Sequence, residues 1–400
     1  MEYGMLTTLI PEAYDEEFRQ ICRHTMQDAA NVLQQNLYEG LCAELGHTIP
    51  VFNILPVSSF PQYCSRAFFR RKPLGDGGVD IGFCNVKLLR NRSRSQGIYR
   101  ELKRWCASSN EPKTLLMYTI SQSFVLAVWK LKKKYPDLRV CAIVADLPDM
   151  CNLSSSQSFG ARLIAKLRSR DAYSMLSCVD RFVLLTKHMA SYMGLTQPWC
   201  VMEGIAAGAE ALPERTDDGT KTVMYSGTLH RQFGVMQLVE AFRKIEDPRM
   251  RLVLCGIGDS EGDIRRAAEE DGRIDFLGQL KRDEVIRLQR QATVLVNPRP
   301  GDEEFTKYSF PSKTMEYLAS GVPVVAYKLA GIEDEYDAYL QYPRDGSVEA
   351  LADKLCQVCS WPRERWAAVG REGRRFVLEN KNAVAQARRI LEFLSDEKVR

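Results

Sequence analysis

Runs of Val, Ile and Leu recur along the whole chain, separated by stretches in which apolar residues return every three to four positions. The runs VFNILPV near 51, TLLMYTI near 114, RVCAIVA near 139 and RFVLLT near 181 predict strands. A second series follows: TVMYSGT near 222, RLVLCGI near 251, RIDFLGQ near 273, TVLVNP near 293 and VPVVAY near 322. Nearly continuous apolar runs, rather than alternating ones, indicate strands covered on both faces. Between them, Val235, Leu238, Val239 and Phe242 fall on one helical face, as do Val285, Leu288 and Ala292. Strand–helix alternation predicts an α/β chain of parallel sheets flanked by helices. The segment IAAGAEALPERTDDGTK (205–221) breaks the alternation and reads as a linker. The predicted organisation is an α/β domain over 1–204, the linker 205–221, a second α/β domain over 222–378 and a C-terminal segment 379–400. That last segment reads as one amphipathic helix from Glu379 to Lys398, with Ala385, Ile390, Leu391 and Leu394 as its apolar positions.

Length agrees with two cores, because 400 residues exceed what one ordinary core organises. At 45% hydrophobic and 26% charged residues, the composition is that of a soluble globular chain. No apolar run reaches the ~18 residues of a membrane span. The opening MEYGMLTTLIPEAYDEEF lacks the basic start and apolar core of a secretory signal, so a cytoplasmic location is expected. The 12 cysteines are scattered singly except for Cys356 and Cys359. With no second pair or nearby His, that CxxC reads as helix packing rather than a zinc site. Charge is uneven: residues 1–200 carry 25 Lys and Arg against 17 Asp and Glu, whereas residues 201–400 carry 30 against 34. The excess concentrates in FFRRKP, KLLRNRSRSQ and KLKKKYP. Two readings stay open: contact with an anionic membrane or a phosphate-bearing acceptor, and a merely solvated surface. No nucleic-acid-binding motif accompanies the charge, so no nucleic acid partner is expected.

The chemistry concentrates after the strand TVLVNP, which ends at Pro298 and Arg299. A polar loop, PGDEEFTKYSFPSK, leads into the short helix TMEYLAS; Gly321 fits its left-handed terminus, and VPVVAY follows. A loop entering a helix presents free backbone N–H groups and the positive end of the helix dipole, a natural place for a diphosphate. Ser309 and Ser312 add hydroxyl donors, while Arg299, Lys307 and Lys313 add charge. Glu316, one turn into the helix, has the reach to accept from the hydroxyls of a ribose. Singly, each residue has a plainer reading: Gly227, Gly256 and Gly258 as strand-end turns, Asp146 as a turn cap before Pro148, Glu316 as a solvated helix position. Their order within one loop–helix–strand unit favours the functional reading for Glu316.

KYSFPSKTMEYLASGVPVV (307–325) resembles the donor-site signature of retaining family 4 glycosyltransferases of the GT-B fold. YSGTLHRQFGVMQLVEAF (225–242) resembles the glycine loop and helix that open the family's donor domain. RLVLCGIGD (251–259), FLGQLKRDEV (276–285) and CAIVADLPDM (141–150) extend the resemblance over the chain. The resemblance implies two Rossmann-like doubly wound domains facing across a cleft, with a C-terminal helix crossing back to the first. It implies that Glu316 binds the ribose and that the backbone at Ser309 and Phe310 contacts diphosphate and sugar, with Pro311, Ser312 and Lys313 in the same loop. Gly227 and Thr228 would approach the phosphates, Leu280 would lie by the base, and Asp146 would sit near the reacting sugar. Tyr308 stands where the family's first motif glutamate belongs, and Glu303 or Glu304 is close by at the wrong spacing. Phe233 replaces the glycine-loop lysine, leaving Arg231, Arg299 or Lys313 to supply its charge; Ala145 replaces a frequent histidine.

The activity implied is transfer of a sugar, with retention, from a nucleotide diphosphate sugar, most simply a uridine one, to a polysaccharide or lipid-linked acceptor. A subset of polysaccharide-assembly enzymes resembles the TKYSFPSK form. No cofactor is expected, and no metal, because no DxD sits at an apolar strand end. The location implied is the cytoplasm or the inner face of the plasma membrane. A sugar-nucleotide epimerase or hydrolase of the same fold, and a non-catalytic partner subunit, are the competing readings.

Overall fold

A computed structural model of the chain describes residues 1–11, 15–22, 28–147, 173–207, 219–302 and 304–396. The chain divides into two compact units, one of Met1–Glu203 with Ala383–Arg400, the other of Gly204–Asn382. Of the expected linker 205–221, positions 208–218 lie outside the described residues.

The first unit is built on an eight-stranded sheet. Its strands are β1 (Glu2–Thr7), β2 (Val51–Asn53), β4 (Lys72–Pro73), β5 (Val79–Asp80), β7 (Lys113–Tyr118), β8 (Arg139–Val144), β9 (Arg181–Leu184) and β10 (Trp199–Val201). The order is β10-β9-β8-β7-β1-β2-β5-β4, and every pair except β4–β5 is parallel. Two short strands, β3 (Phe68–Phe69) and β6 (Phe83–Cys84), pair separately. The strand β1 has no counterpart among the predicted runs, yet it is central, with Met5 opposite both Val51 and Leu116. Met5 and Leu6 are fully buried. Its polar end is tied down by Lys113 Nζ, which donates to Glu2 Oε2 at 2.6 Å.

The second unit carries a six-stranded, wholly parallel sheet. Its strands are β11 (Lys221–Ser226), β12 (Met250–Cys255), β13 (Ile274–Gly278), β14 (Val294–Asn297), β15 (Val324–Ala326) and β16 (Leu340–Gln341). The spatial order β13-β12-β11-β14-β15-β16 is that of a doubly wound Rossmann fold. Helices cover both faces. Val235, Leu238, Val239 and Phe242 of helix Val235–Arg243 pack with Leu252, Leu254 and Val294 in one core cluster. Tyr317 and Leu318 of helix Ser312–Ala319 pack with Leu295, Val324 and Val377 in the other. The sheet reverses its order between β11 and β14, which places a crevice at their carboxyl ends.

The C-terminal segment differs from its expected form. In place of one helix from Glu379, a helix spans Arg363–Asn380 and a second spans Ala383–Ser395. Asn382 Nδ2 donates to the carbonyls of Leu378 and Glu379 at 2.7 and 3.1 Å, closing the first helix. Lys381 is buried, and its ammonium donates to Glu335 Oε1 at 2.5 Å, which turns the chain inward at that point. The last helix packs on helix Asp28–Leu45 of the first unit, where Arg388 meets Glu44 through two 3.0 Å bonds. Among the described residues no helix is long and apolar enough to cross a membrane.

Candidate functional site

Three strand ends of the second unit meet in its crevice. The loop after β11 carries Gly227, whose amide donates to the Cys255 carbonyl at 3.0 Å. The loop after β12 carries Gly256, whose amide donates to the Gly278 carbonyl at 2.8 Å. The glycine loop then abuts the end of β14. Gly234 has φ +77°, and a Cβ there would lie 1.9 Å from the Pro298 carbonyl oxygen, so only glycine fits. That contact places Phe233 directly beside Arg299.

Glu316 is held in the crevice by two donors. Its Oε1 accepts from Gln289 Nε2 at 2.6 Å and from Lys313 Nζ at 2.7 Å. Its Oε2 accepts nothing from the described residues. Gln289 is itself buried and also donates to Ser226 Oγ at 2.8 Å. Ser226 is fixed in turn by the buried Tyr317, whose hydroxyl accepts from the Ser226 amide at 2.9 Å and donates to the Ser226 carbonyl at 3.0 Å. A buried, satisfied network therefore orients one carboxylate from behind. Burial alone would push that carboxyl up; the Lys313 charge, the hydrogen bonds from Gln289 and Lys313, and Arg282 outweigh it and hold it below its ordinary 4.5.

A carboxyl lowered by folding contributes stability above its unfolded pKa and loses it as pH falls through the folded value. Glu316 should thus support the second unit at neutral pH and lose that support as pH falls from about 4.5 through its lower folded value. Urea unfolding at about pH 7 and about pH 3 should show wild type losing more stability on acidification than Glu316→Gln. Equal losses in the two proteins would contradict it.

The loop before the helix supplies donors. The backbone amides of Ser309, Phe310, Ser312 and Lys313 find no acceptor among the described residues. Pro311 caps helix Ser312–Ala319 at φ −74°, with no side-chain cap. Phe310 is a core residue, its ring 5.4 Å from that of Tyr336, and this anchors the backbone on which the amides sit. Arg299 Nη1 donates to Ser309 Oγ at 3.2 Å, and Ser309 Oγ donates to the Phe305 carbonyl at 3.2 Å. The Arg299 guanidinium lies over the rings of Phe233 and Phe305, 4.7 and 4.9 Å from their centroids. Burial pushes it down to about 10.

The structure therefore brings Gly227, Arg299, Ser309, Phe310, Pro311, Ser312, Lys313 and Glu316 into one region of the second unit. A Cβ on Gly227 would sit 3.8 Å from Lys313 Cε. Thr228 is exposed at the same loop, and its carbonyl accepts from Tyr225 Oη at 2.8 Å. Lys307 is exposed and Tyr308 half-buried at the end of the turn Glu304–Tyr308. Leu280, past Gly278, packs half-buried against the core beside Val285 and Leu288. Glu303 lies outside the described residues, and Glu304 is exposed. Of the other basic candidates, Arg231 is committed to Asp263 through an ion pair and to Asp259 through its amide.

Asp146 belongs to the first unit, exposed just beyond β8. The adjacent Tyr118 hydroxyl is buried with no partner among the described residues; burial, then the Asp146 charge, pushes it up. Positions 148–150 of the resembling loop lie outside the described residues. The basic clusters of this unit are partly consumed internally. Arg94 donates to the Leu55 and Val57 carbonyls and lies 4.4 Å over the Phe83 ring, while Arg71 pairs with Glu101 and Lys132 with Asp180.

Gln289, Ser226 and Tyr317 are not among the residues expected at the site from the sequence. One signal was present: Gln289 falls on the same helical face as Val285, Leu288 and Ala292, a polar side chain on a core-facing stripe.

Residues 220–360 match the family described as Glycosyl transferases group 1. No curated protein matches the chain. Solved structures do. A sucrose-phosphate synthase from Thermosynechococcus elongatus is 16% identical, with a TM-score of 0.63 over 98% of each chain. An α,α-trehalose-phosphate synthase (UDP-forming) from Burkholderia xenovorans, in complex with glucose-6-phosphate, is 11% identical, with a TM-score of 0.65 over 99% of this chain and 100% of its own. HepE from Anabaena, in complex with UDP, is 15% identical, with a TM-score of 0.57 over 99% of this chain and 100% of its own. At these identities the likeness establishes the fold, a two-domain GT-B architecture.

Proposed function

We propose that the chain is a glycosyltransferase that takes a sugar from a uridine diphosphate sugar and delivers it, with retention, to a lipid-linked or polysaccharide acceptor. The observation that carries this reading is the Glu316 carboxylate, with Oε1 fixed from behind and Oε2 without a donor among the described residues, beside four backbone amides that find no acceptor among them. Oε2 accepts from the ribose hydroxyls, and the amides of Ser309, Phe310, Ser312 and Lys313 meet the diphosphate. Gly227 and Thr228 let the backbone approach the phosphates, and Leu280 lies toward the base. Uridine is favoured because HepE is described with UDP and the Burkholderia synthase as UDP-forming.

In this reaction the bond between the anomeric carbon and the phosphate oxygen breaks. The acceptor oxygen bonds to that carbon on the same face, and its proton passes to the departing phosphate. Fixed amides and cations stabilise the leaving group in place of a metal ion. Asp146 and Tyr308 are assigned to the reacting sugar. An acceptor at a membrane face suits the first unit, where the exposed Leu88 and Leu89 stand beside the exposed cations Lys87 and Arg92.

Product analysis with labelled nucleotide sugars tests the reading. Label should move to a glycan or lipid only when an extract of the producing organism supplies acceptor. Turnover without acceptor would indicate an epimerase or hydrolase instead; UDP binding without turnover in any extract would indicate a non-catalytic subunit.

A further inference from the structure

The glycine loop lacks a lysine, because Phe233 stands in its place ahead of Gly234. Three cations lie close enough to be considered as its replacement. Arg231 is held by Asp263 on the face of helix Glu261–Glu270. Lys313 is neutralised by Glu316 at 2.7 Å. Arg299 forms no ion pair with any described residue. It is held by the faces of Phe233 and Phe305 and by one hydrogen bond to Ser309, all of which leave its charge unneutralised. The two rings meet edge to face, 65° apart with centroids 6.4 Å from each other, and a guanidinium resting against both is held in place while its charge remains available to an anion.

We infer that Arg299, carried on the Phe233–Phe305 tray, is the residue that clamps the donor diphosphate, and that Phe233 has exchanged the lysine's role of binding phosphate for that of supporting the arginine. This rests on the donor-site reading above. The position agrees with the role: Arg299 follows β14, at the point where the sheet order reverses, and its hydrogen-bond partner Ser309 is one of the residues with a free amide. A bidentate guanidinium suits two phosphate oxygens better than a point charge does. The exchange also explains why the glycine loop closes so tightly on the Pro298 carbonyl: that contact carries Phe233 under the guanidinium.

The test separates diphosphate from nucleoside. Affinities for UDP and for uridine would be measured by calorimetry on wild type, Arg299→Ala, Arg299→Lys, Phe233→Ala and the double variant Phe233→Lys/Arg299→Ala, with melting temperatures confirming folding. Arg299→Ala should weaken UDP by roughly ten- to hundredfold while leaving uridine within about twofold. Arg299→Lys should fall between, because it keeps charge and loses the fork. Phe233→Ala should weaken UDP in the same direction with Arg299 still present. The double variant should recover a large part of the affinity lost in Arg299→Ala, since it returns a lysine to the glycine loop. Equal losses for UDP and uridine, an Arg299→Ala variant as tight as wild type, or a folded double variant with no recovery would overturn the assignment. Those outcomes are distinct from failure of the underlying reading, in which wild type itself would bind neither UDP, ADP nor GDP.

Discussion

Gly256→Ala is expected to destabilise the protein by about 3 kcal/mol or more, a large share of the ~5–15 kcal/mol that ordinarily holds a domain folded. Gly256 has φ +140°, where a side chain strains the backbone by about 1–3 kcal/mol. A Cβ there would also lie 1.8 Å from the Gly227 carbonyl oxygen and 2.9 Å from its carbon. The neighbour is backbone, so it cannot rotate away. It must shift, and overpacking of that kind costs a further ~1–3 kcal/mol. The shift would displace Gly227 and, through the Gly256–Gly278 hydrogen bond, the loop after β13. Gly262→Ala is the control: nothing stands within 4 Å of its Cβ, and the position is helical, so alanine should be neutral or stabilise by up to about 1 kcal/mol. Urea unfolding of both variants checks the pair. A Gly256→Ala protein within about 0.5 kcal/mol of wild type would mean that the strand ends do not meet as described.

The second large effect concerns Glu316→Gln. The amide oxygen keeps the place of Oε1, so Gln289 and Lys313 retain their acceptor and the helix keeps its shape. What changes is the other atom, which turns from a charged acceptor into a neutral donor. A ribose hydroxyl pair then loses its charge-assisted acceptor, at about 1.5–3 kcal/mol. That corresponds to a loss in nucleotide affinity of about one to two orders of magnitude. The same substitution leaves Lys313 without its countercharge, which adds positive potential near the phosphates. The two effects oppose each other, so the net loss should lie toward the lower end of that range for UDP and nearer the full value for uridine.

How much the sequence reveals depends on whether the determinants are local. The core strands were legible because their runs are nearly continuous, and the helix Val235–Arg243 because its apolar face repeats at helical spacing. The strand β1 was not. Its residues mix Tyr, Gly and Thr with a leading Glu2, and what completes it is Lys113, 111 positions away. The break at Lys381 was hidden for the same reason, since Glu335 supplies the partner that buries a lysine in what otherwise reads as helix. In the site, the segment from Ser309 to Glu316 was readable as one loop entering one helix. Gln289 and Ser226 come from a different helix and a different strand, and only folding brings their side chains to the Glu316 carboxylate. The choice among Arg231, Arg299 and Lys313 was equally beyond the sequence, because it turns on which two already have carboxylate partners.

The central claim is that Glu316 and the amides before it form a nucleotide-diphosphate site. Calorimetric titration of UDP into wild type and Glu316→Gln tests it most directly. Saturable binding by wild type, weakened by about tenfold or more in a variant that is still fully folded at the assay temperature, is the predicted result. Equal UDP affinity in the two proteins, or no binding by wild type, would contradict it.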